Sequence, residues 1–188
     1  MPIPQAASRW CQEYLLNERV VLFVMELFML RHGKAGQSSD DPDDATRPLT
    51  PGGREEIRQI ARWILKERFR FDIIASSPLT RASETAGIVA KVLDRKDRLH
   101  IWEELTPGGD PEAICRRAVQ SGDDKVILLV GHEPELSTLV GRIISRGGTA
   151  SVVMAKGSLA KIRNFSFDKE PSGELLWLLT PKQIIERR

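Results

Sequence analysis

The stretch MELFMLRHG at residues 25–33 decides the fold, because an apolar run leads directly into an arginine and a histidine. An uninterrupted run of large apolar side chains is typical of a strand buried on both faces of a parallel sheet. A second stretch, KVILLVGH at residues 125–132, has the same design and also ends in a histidine. We therefore predict two central strands, 26–31 and 125–130, that each deliver a histidine at the carboxyl end.

Strand-like and helix-like segments alternate over the rest of the chain. Thr50-Pro51 and Asp110-Pro111 each place a capping side chain before a proline at the first helical position, so a helix is predicted after each pair. The last two predicted strands, 158–167 and 174–179, have no helix between them. This order predicts an α/β fold: a three-layer sandwich with a mostly parallel central sheet flanked by helices and a small antiparallel part.

The composition sets limits on location and partners. The formal net charge of +2 gives no case for nucleic acid or a membrane surface as partner, and no apolar run reaches the roughly 18 residues that span a bilayer. Cys11 and Cys115 lie far apart in the chain and outside any CxxC pattern, which argues against a disulfide framework. We expect a cytoplasmic protein with one domain at 25–188. Residues 1–24 are predicted to be an N-terminal extension, and a native start at Met25 is the alternative.

Four chemically active side chains are predicted at one edge of the sheet. Ligands of α/β sheets bind beyond the carboxyl ends of the strands, where Arg31, His32 and His132 follow the two central strands. Arg81 lies in the first turn of a helix that follows another predicted strand at 71–75. Guanidinium forks grip phosphate oxygens, a neutral imidazole is a nucleophile toward phosphorus, and a protonated imidazole offsets charge on a transferring group. The set suits phosphoryl chemistry, and no metal-ligand pattern is present in the sequence.

Five motifs carry a resemblance to a known family. They are LRHGKA at 30–35, RPLT at 47–50, SSPLTRASETA at 76–86, EELTPGGD at 103–110 and VGHEPEL at 130–136. In order and spacing they resemble the histidine phosphatase superfamily, and within it the compact SixA-like branch of phosphohistidine phosphatases. The resemblance extends from about Met25 to Pro181 and implies a phosphoglycerate-mutase-like fold without metal or organic cofactor. Ser38 stands where the mutases of the family usually carry asparagine, which speaks against mutase chemistry.

The resemblance implies a role for each matching residue. His32 would be the nucleophile that becomes phosphorylated, and His132 would stabilise the transferring group. Arg31 and Arg81 would grip the phosphoryl oxygens. Arg47 would reach the same pocket, although an ion pair with the acidic run 40–44 is the alternative for it.

The general acid is the least defined part of the predicted site. Many members of the family use a carboxylic acid after the third strand to protonate the leaving oxygen. Glu103 and Glu104 lie in that region as candidate proton donors, and bracing of the following loop is the alternative for Glu104. The SixA-like branch often lacks this acid, which a phosphohistidine substrate tolerates because imidazole departs far more easily than an alkoxide.

We therefore expect a phosphatase that forms a phosphohistidine intermediate and acts on phosphohistidine of proteins. A short chain without a long insertion predicts a shallow, open site, which suits a protein surface. A phosphatase of a small phosphate ester is the first alternative, with a glutamate as acid. A non-catalytic phosphate-binding module is the second, and the pair His32 and His132 argues against it because binding needs only the arginines.

Overall fold

The computed structural model describes residues 25–36 and 44–186, so the predicted extension 1–24 lies outside the described residues. The elements in chain order are β1 (Met25–Arg31), α1 (Pro51–Lys66), β2 (Ile73–Ser76), α2 (Thr80–Val92), β3 (Leu99–Ile101), α3 (Pro111–Gln120), β4 (Val126–Gly131), α4 (Glu135–Ile144), β5 (Leu159–Phe167), β6 (Pro171–Leu179) and α5 (Pro181–Glu186). Within those ranges, none of the helices combines the length and apolar character that a bilayer crossing requires.

The sheet has six strands in the order β3-β2-β4-β1-β5-β6. Strand β1 pairs in parallel with β4, and β2 pairs in parallel with both β3 and β4. Strand β5 runs antiparallel to β1, and β6 runs antiparallel to β5. The predicted sheet, mostly parallel with an antiparallel part, is confirmed, and its two apolar runs form the central pair β1 and β4.

Alternate residues of the central strands pack into opposite layers. Leu27 and Met29 belong to a cluster with apolar residues of α3 and α4. Phe28 and Leu30 belong to a second cluster with residues of α1, α2 and α5. All four side chains are at most 1% exposed, and burying a side chain of this size contributes roughly 1.5–3 kcal/mol. The predicted three-layer sandwich is confirmed.

The predicted capping signals start two of the helices. Thr50 Oγ accepts a hydrogen bond from the Gly53 N–H at 3.0 Å, and α1 begins at Pro51. Asp110 Oδ1 accepts from the Glu112 N–H at 2.9 Å, and α3 begins at the following proline. Helix α5, by contrast, was not anticipated from the sequence.

The first turn of α1 lies directly against the loop that follows β1. The Thr50 N–H donates to the Lys34 carbonyl at 2.9 Å. A Cβ atom on Gly53 would lie 2.2 Å from the same oxygen, a distance that real Cβ atoms do not reach. Gly53 is therefore required by the close approach of two backbones, and that approach holds the loop in place.

We predict that Gly53→Ala destabilises the protein by about 1–3 kcal/mol, because the backbone of the loop must move to make room for the methyl group. Gly52→Ala is the matched control, since nothing lies within 4 Å of a Cβ atom there. The control should be neutral or up to about 1 kcal/mol more stable. Chemical denaturation of the two variants measures the difference, and equal stabilities would contradict the prediction.

Candidate active site

The ends of β1 and β4 bring two histidines side by side. The His32 N–H donates to the Gly131 carbonyl at 3.0 Å, which continues the pairing of the two strands by one residue. The rings of His32 and His132 lie 5.0 Å apart between centroids. The residues are only 5% and 2% exposed. Two imidazoles therefore share one buried site at the carboxyl edge of the sheet.

The hydrogen bonds of His32 define its tautomer. Nδ1 lies 2.8 Å from the Gly33 carbonyl oxygen, which can only accept, so the ring proton is on Nδ1 and Nε2 holds the lone pair. Burial lowers the pKa of His32 to about 4, against the opposing effect of the bond to Gly33. The positive charges of Arg81, Arg31 and Lys156 lower this pKa further. His32 is therefore neutral at physiological pH, and the lone pair of its Nε2 is available.

Arg31 is held by the segment that precedes β5. Its Nη1 donates to the Met154 carbonyl at 2.7 Å. The Gly157 N–H donates to the carbonyls of Arg31 and His32 at 3.1 and 3.2 Å. This turn fixes both the backbone and the side chain of the residue before His32, and it places Lys156 next to the pocket.

Arg81 and Arg47 meet at one aspartate. Arg81, which is 4% exposed, donates from Nη1 to the Asp44 carbonyl at 2.7 Å and from Nη2 to Asp44 Oδ2 at 3.0 Å. Arg47 donates from Nη2 to Asp44 Oδ1 at 2.5 Å and from Nη1 to the Gly36 carbonyl at 3.1 Å. The structure thus shows the ion pair that the sequence left as an alternative for Arg47, and it also places Arg47 beside Arg81.

His132 is also neutral in this state of the site. Its Nε2 lies 2.9 Å from Ser77 Oγ, which accepts a further hydrogen bond from the Leu79 N–H at 3.3 Å. Burial lowers the pKa of His132 to about 3, and the neighbouring His32 and Arg81 lower it further. Burial therefore favours the neutral ring of His132 when no anion is bound, and the protonated form expected beside a transferring phosphoryl group stays a prediction. A bound anion would be needed to favour the proton.

Two hydroxyl groups of the site were not identified from the sequence. Ser77 precedes Leu79, the N-cap residue of α2, and its hydroxyl contacts His132. Thr85 Oγ1 accepts from the Gly33 N–H at 3.2 Å and donates to the Arg81 carbonyl at 2.7 Å. A buried hydroxyl on the apolar face of α2 is the signal that would have revealed Thr85.

Glu104, one of the two candidate acids, forms an ion pair with Arg117. Glu104 Oε2 accepts from Arg117 Nη1 at 2.6 Å, and this guanidinium lies 4.7 Å over the ring of Trp102. The carboxylate of Glu104 is thus engaged in an ion pair outside the histidine pair. Glu103 and Glu104 form a 3-10 turn with Leu105.

Four buried polar atoms of the site have no hydrogen-bond partner within residues 25–36 and 44–186. They are Nε of Arg31, Arg47 and Arg81, and Nδ1 of His132. A buried donor without a partner costs about 1–3 kcal/mol, so such a group calls for an explanation. Three of them belong to cations, which favours an anionic ligand. In the same ranges, no group of His, Cys, Asp and Glu side chains could hold a metal ion.

Comparisons with known proteins agree with an anionic ligand at this site. Residues 27–106 match the family model of the histidine phosphatase superfamily, branch 1. Phosphohistidine phosphatase SixA of Escherichia coli K12 is 26% identical over 159 residues, which are 84% of this chain and 94% of that protein.

Two solved structures have the same fold. The protein histidine phosphatase SixA complexed with tungstate is 26% identical, with a TM-score of 0.73 over 84% of this chain and 98% of that one. The alpha-ribazole phosphatase of Shigella flexneri is 21% identical, with a TM-score of 0.65 over 84% and 97% of the two chains. Since the family model matches the segment with β1 and His32, and SixA matches 84% of this chain in both sequence and structure, this chain belongs to the histidine phosphatase superfamily and is SixA-like within it.

Proposed function

We propose that this protein removes the phosphoryl group from phosphohistidine on proteins and carries it transiently on His32. One observation carries the proposal. The lone pair of a neutral, buried His32 lies beside His132 and among arginines whose buried Nε–H donors have no partner in the described part of the chain. A tetrahedral phosphoryl group supplies both a target for that lone pair and acceptors for those donors.

In the first step, Nε2 of His32 attacks the phosphorus atom of the substrate. A bond forms between Nε2 and phosphorus, and the bond from phosphorus to the substrate nitrogen breaks. The electron pair of that bond stays on the departing imidazole, which takes a proton from the solvent. Arg31 and Arg81 hold the equatorial oxygens, and a phosphoryl group next to His132 favours the protonated form of this second imidazole.

In the second step, water attacks the phosphorus atom on His32. The bond between phosphorus and Nε2 breaks and returns the lone pair to Nε2, while the proton released by water leaves with phosphate or solvent. Throughout both steps the Gly33 carbonyl keeps Nδ1 protonated, so the same nitrogen is nucleophile and leaving group. The net reaction consumes one water and releases inorganic phosphate.

Two points support phosphohistidine rather than an ester as the substrate. An imidazole leaving group needs no strong proton donor, and Glu104, one of the candidate donors, is paired with Arg117. The SixA relative is named a phosphohistidine phosphatase. The fold alone does not select the substrate, since an alpha-ribazole phosphatase has it too.

We predict that His32→Ala lowers the turnover of a phosphohistidine protein by at least about a thousandfold, because the covalent route is lost. The assay compares the turnover of phosphohistidine proteins with that of small phosphate esters. Each turnover is measured with and without the metal chelator EDTA. Rapid quenching with labelled substrate should place the label on His32. His100→Ala, at an exposed residue of β3, is the matched control and should be fully active.

Other results of this assay would select an alternative function. Faster turnover of a small ester than of every phosphohistidine protein would favour the ester phosphatase. Phosphate binding without any turnover would favour a binding module. Substantial activity of His32→Ala would refute the covalent mechanism.

We predict that Glu104→Gln keeps activity toward phosphohistidine within about fivefold, because an ion pair this exposed contributes up to about 1 kcal/mol. Loss of a true general acid would lower the rate by about a hundredfold or more. Glu174→Gln, which breaks the exposed ion pair with Arg163, is the matched control. A hundredfold loss in Glu104→Gln but not in the control would make Glu104 the proton donor.

We predict that the rings of His32 and His132 stay neutral when the pH falls from 8 to about 5.5. Their pKa values, lowered to about 4 and about 3, lie below this range, so protonation begins only in more acidic solution. Imidazole NMR signals, assigned with variants that lack one histidine each, measure this directly. Addition of tungstate should raise the pKa of His132, since an opposite charge favours the protonated ring. A midpoint near 6.5 for either ring in the free protein would contradict the prediction.

A further inference from the structure

Asp44 lies within the cluster of arginines that the phosphoryl group is proposed to occupy. Its backbone carbonyl and its Oδ2 accept from the two terminal nitrogens of Arg81. Its Oδ1 accepts from Arg47. One carboxylate thus already binds two of the three arginines of the site in the way that an oxyanion would.

On the basis of the proposed function, we infer that Asp44 is an internal competitor of the phosphoryl group. Its carboxylate weakens the binding of phosphate oxyanions at Arg81 and Arg47 and thereby lets the product leave. Asp44 is then an affinity-determining residue of the reaction, outside the set of residues that the sequence motifs assigned.

The geometry of the guanidinium group supports this inference. Arg81 has five N–H donors, and Asp44 accepts from one terminal nitrogen with its carbonyl and from the other with its carboxylate. The Nε of Arg81 is buried and has no partner among the described residues. A phosphoryl group bound at Nε and an Asp44 carboxylate bound at Nη2 are two anions on one cation. The two anions repel each other through a site in which Arg81 is 4% exposed, and solvent screens part of this repulsion because the Asp44 side chain is 54% exposed.

The charge of Asp44 acts across the whole pocket. It raises the pKa of Arg81 and that of His132, in both cases against the larger effect of burial. Its negative charge therefore acts on both Arg81 and His132, two groups proposed to contact the phosphoryl group. Arg31, Arg47 and Arg81 together would hold a phosphate dianion tightly, and binding product and substrate equally well does not speed the chemical step. A built-in carboxylate removes part of that excess affinity.

The test is the affinity of tungstate and inorganic phosphate for charge-neutral variants of Asp44. Asp44→Asn keeps the size and an oxygen acceptor for Arg81 but removes the charge. We expect it to bind tungstate about tenfold more tightly than the wild type, a ratio that corresponds to 1.4 kcal/mol. Inhibition by inorganic phosphate should strengthen by a similar factor. Asp44→Ser should behave likewise, whereas Asp44→Glu, which keeps the charge, should not bind more tightly than the wild type.

Asp110→Asn is the matched control. The side chains of Asp110 and Asp44 are both 54% exposed and both pair with an arginine, and asparagine preserves the helix cap. Its tungstate affinity should equal that of the wild type at the same ionic strength. Circular dichroism checks that each variant folds. If only one of the two neutral variants, Asp44→Asn and Asp44→Ser, folds, that variant alone is compared with the wild type.

The possible results distinguish failure of the role inferred for Asp44 from failure of the proposed function on which it rests. Unchanged or weaker tungstate binding by a folded neutral variant would overturn the competitor role and make Asp44 a residue that orients the arginines. Tighter binding by Asp44→Glu would also overturn it. Failure of the wild type to bind tungstate would instead refute the proposed phosphoryl site itself.

Discussion

The parallel pairing of β1 with β4 is the constraint on which the site depends. Arg31 is paired with Gly131, and the next residue continues the pairing through the hydrogen bond from the His32 N–H to the Gly131 carbonyl. A shift of one residue would turn every side chain of β1 to the opposite face of the sheet. Leu27 and Met29 would then exchange layers with their neighbours, so packing on both faces holds the register. The distance between the two imidazoles follows from the sandwich itself.

Burial has a double effect at this edge of the sheet. The layers that exclude water from the strands also lower the pKa values of His32 and His132, so both rings are neutral without help from a nearby base. Arginines remain charged in the same surroundings because their ordinary pKa is far above neutral. A neutral imidazole surrounded by cations is thus a consequence of placing these residue types at a buried strand end.

The parts of the molecule that were predictable are those with a local signal. Apolar runs marked β1 and β4, and a capping side chain before proline marked the starts of α1 and α3. The missed contacts join residues far apart in sequence: Asp44 with Arg81, Ser77 with His132, and Gly33 with Thr85. Polar contacts of this kind have no periodicity and form only when the tertiary structure brings loops together. The extension at residues 1–24 and the catalytic roles of the site residues stay predictions.

The turn before β5 has a consequence for protein synthesis. Met154 and Gly157 hold Arg31 and His32, although they follow Arg31 by more than a hundred positions in the chain. On the ribosome, at about 5–20 residues per second, strand β1 emerges on the order of ten seconds before this turn does. During that interval a nascent chain exposes an apolar strand that lacks its neighbour β5. The site at the end of β1 can therefore be completed only after the turn at residues 154–157 has been translated.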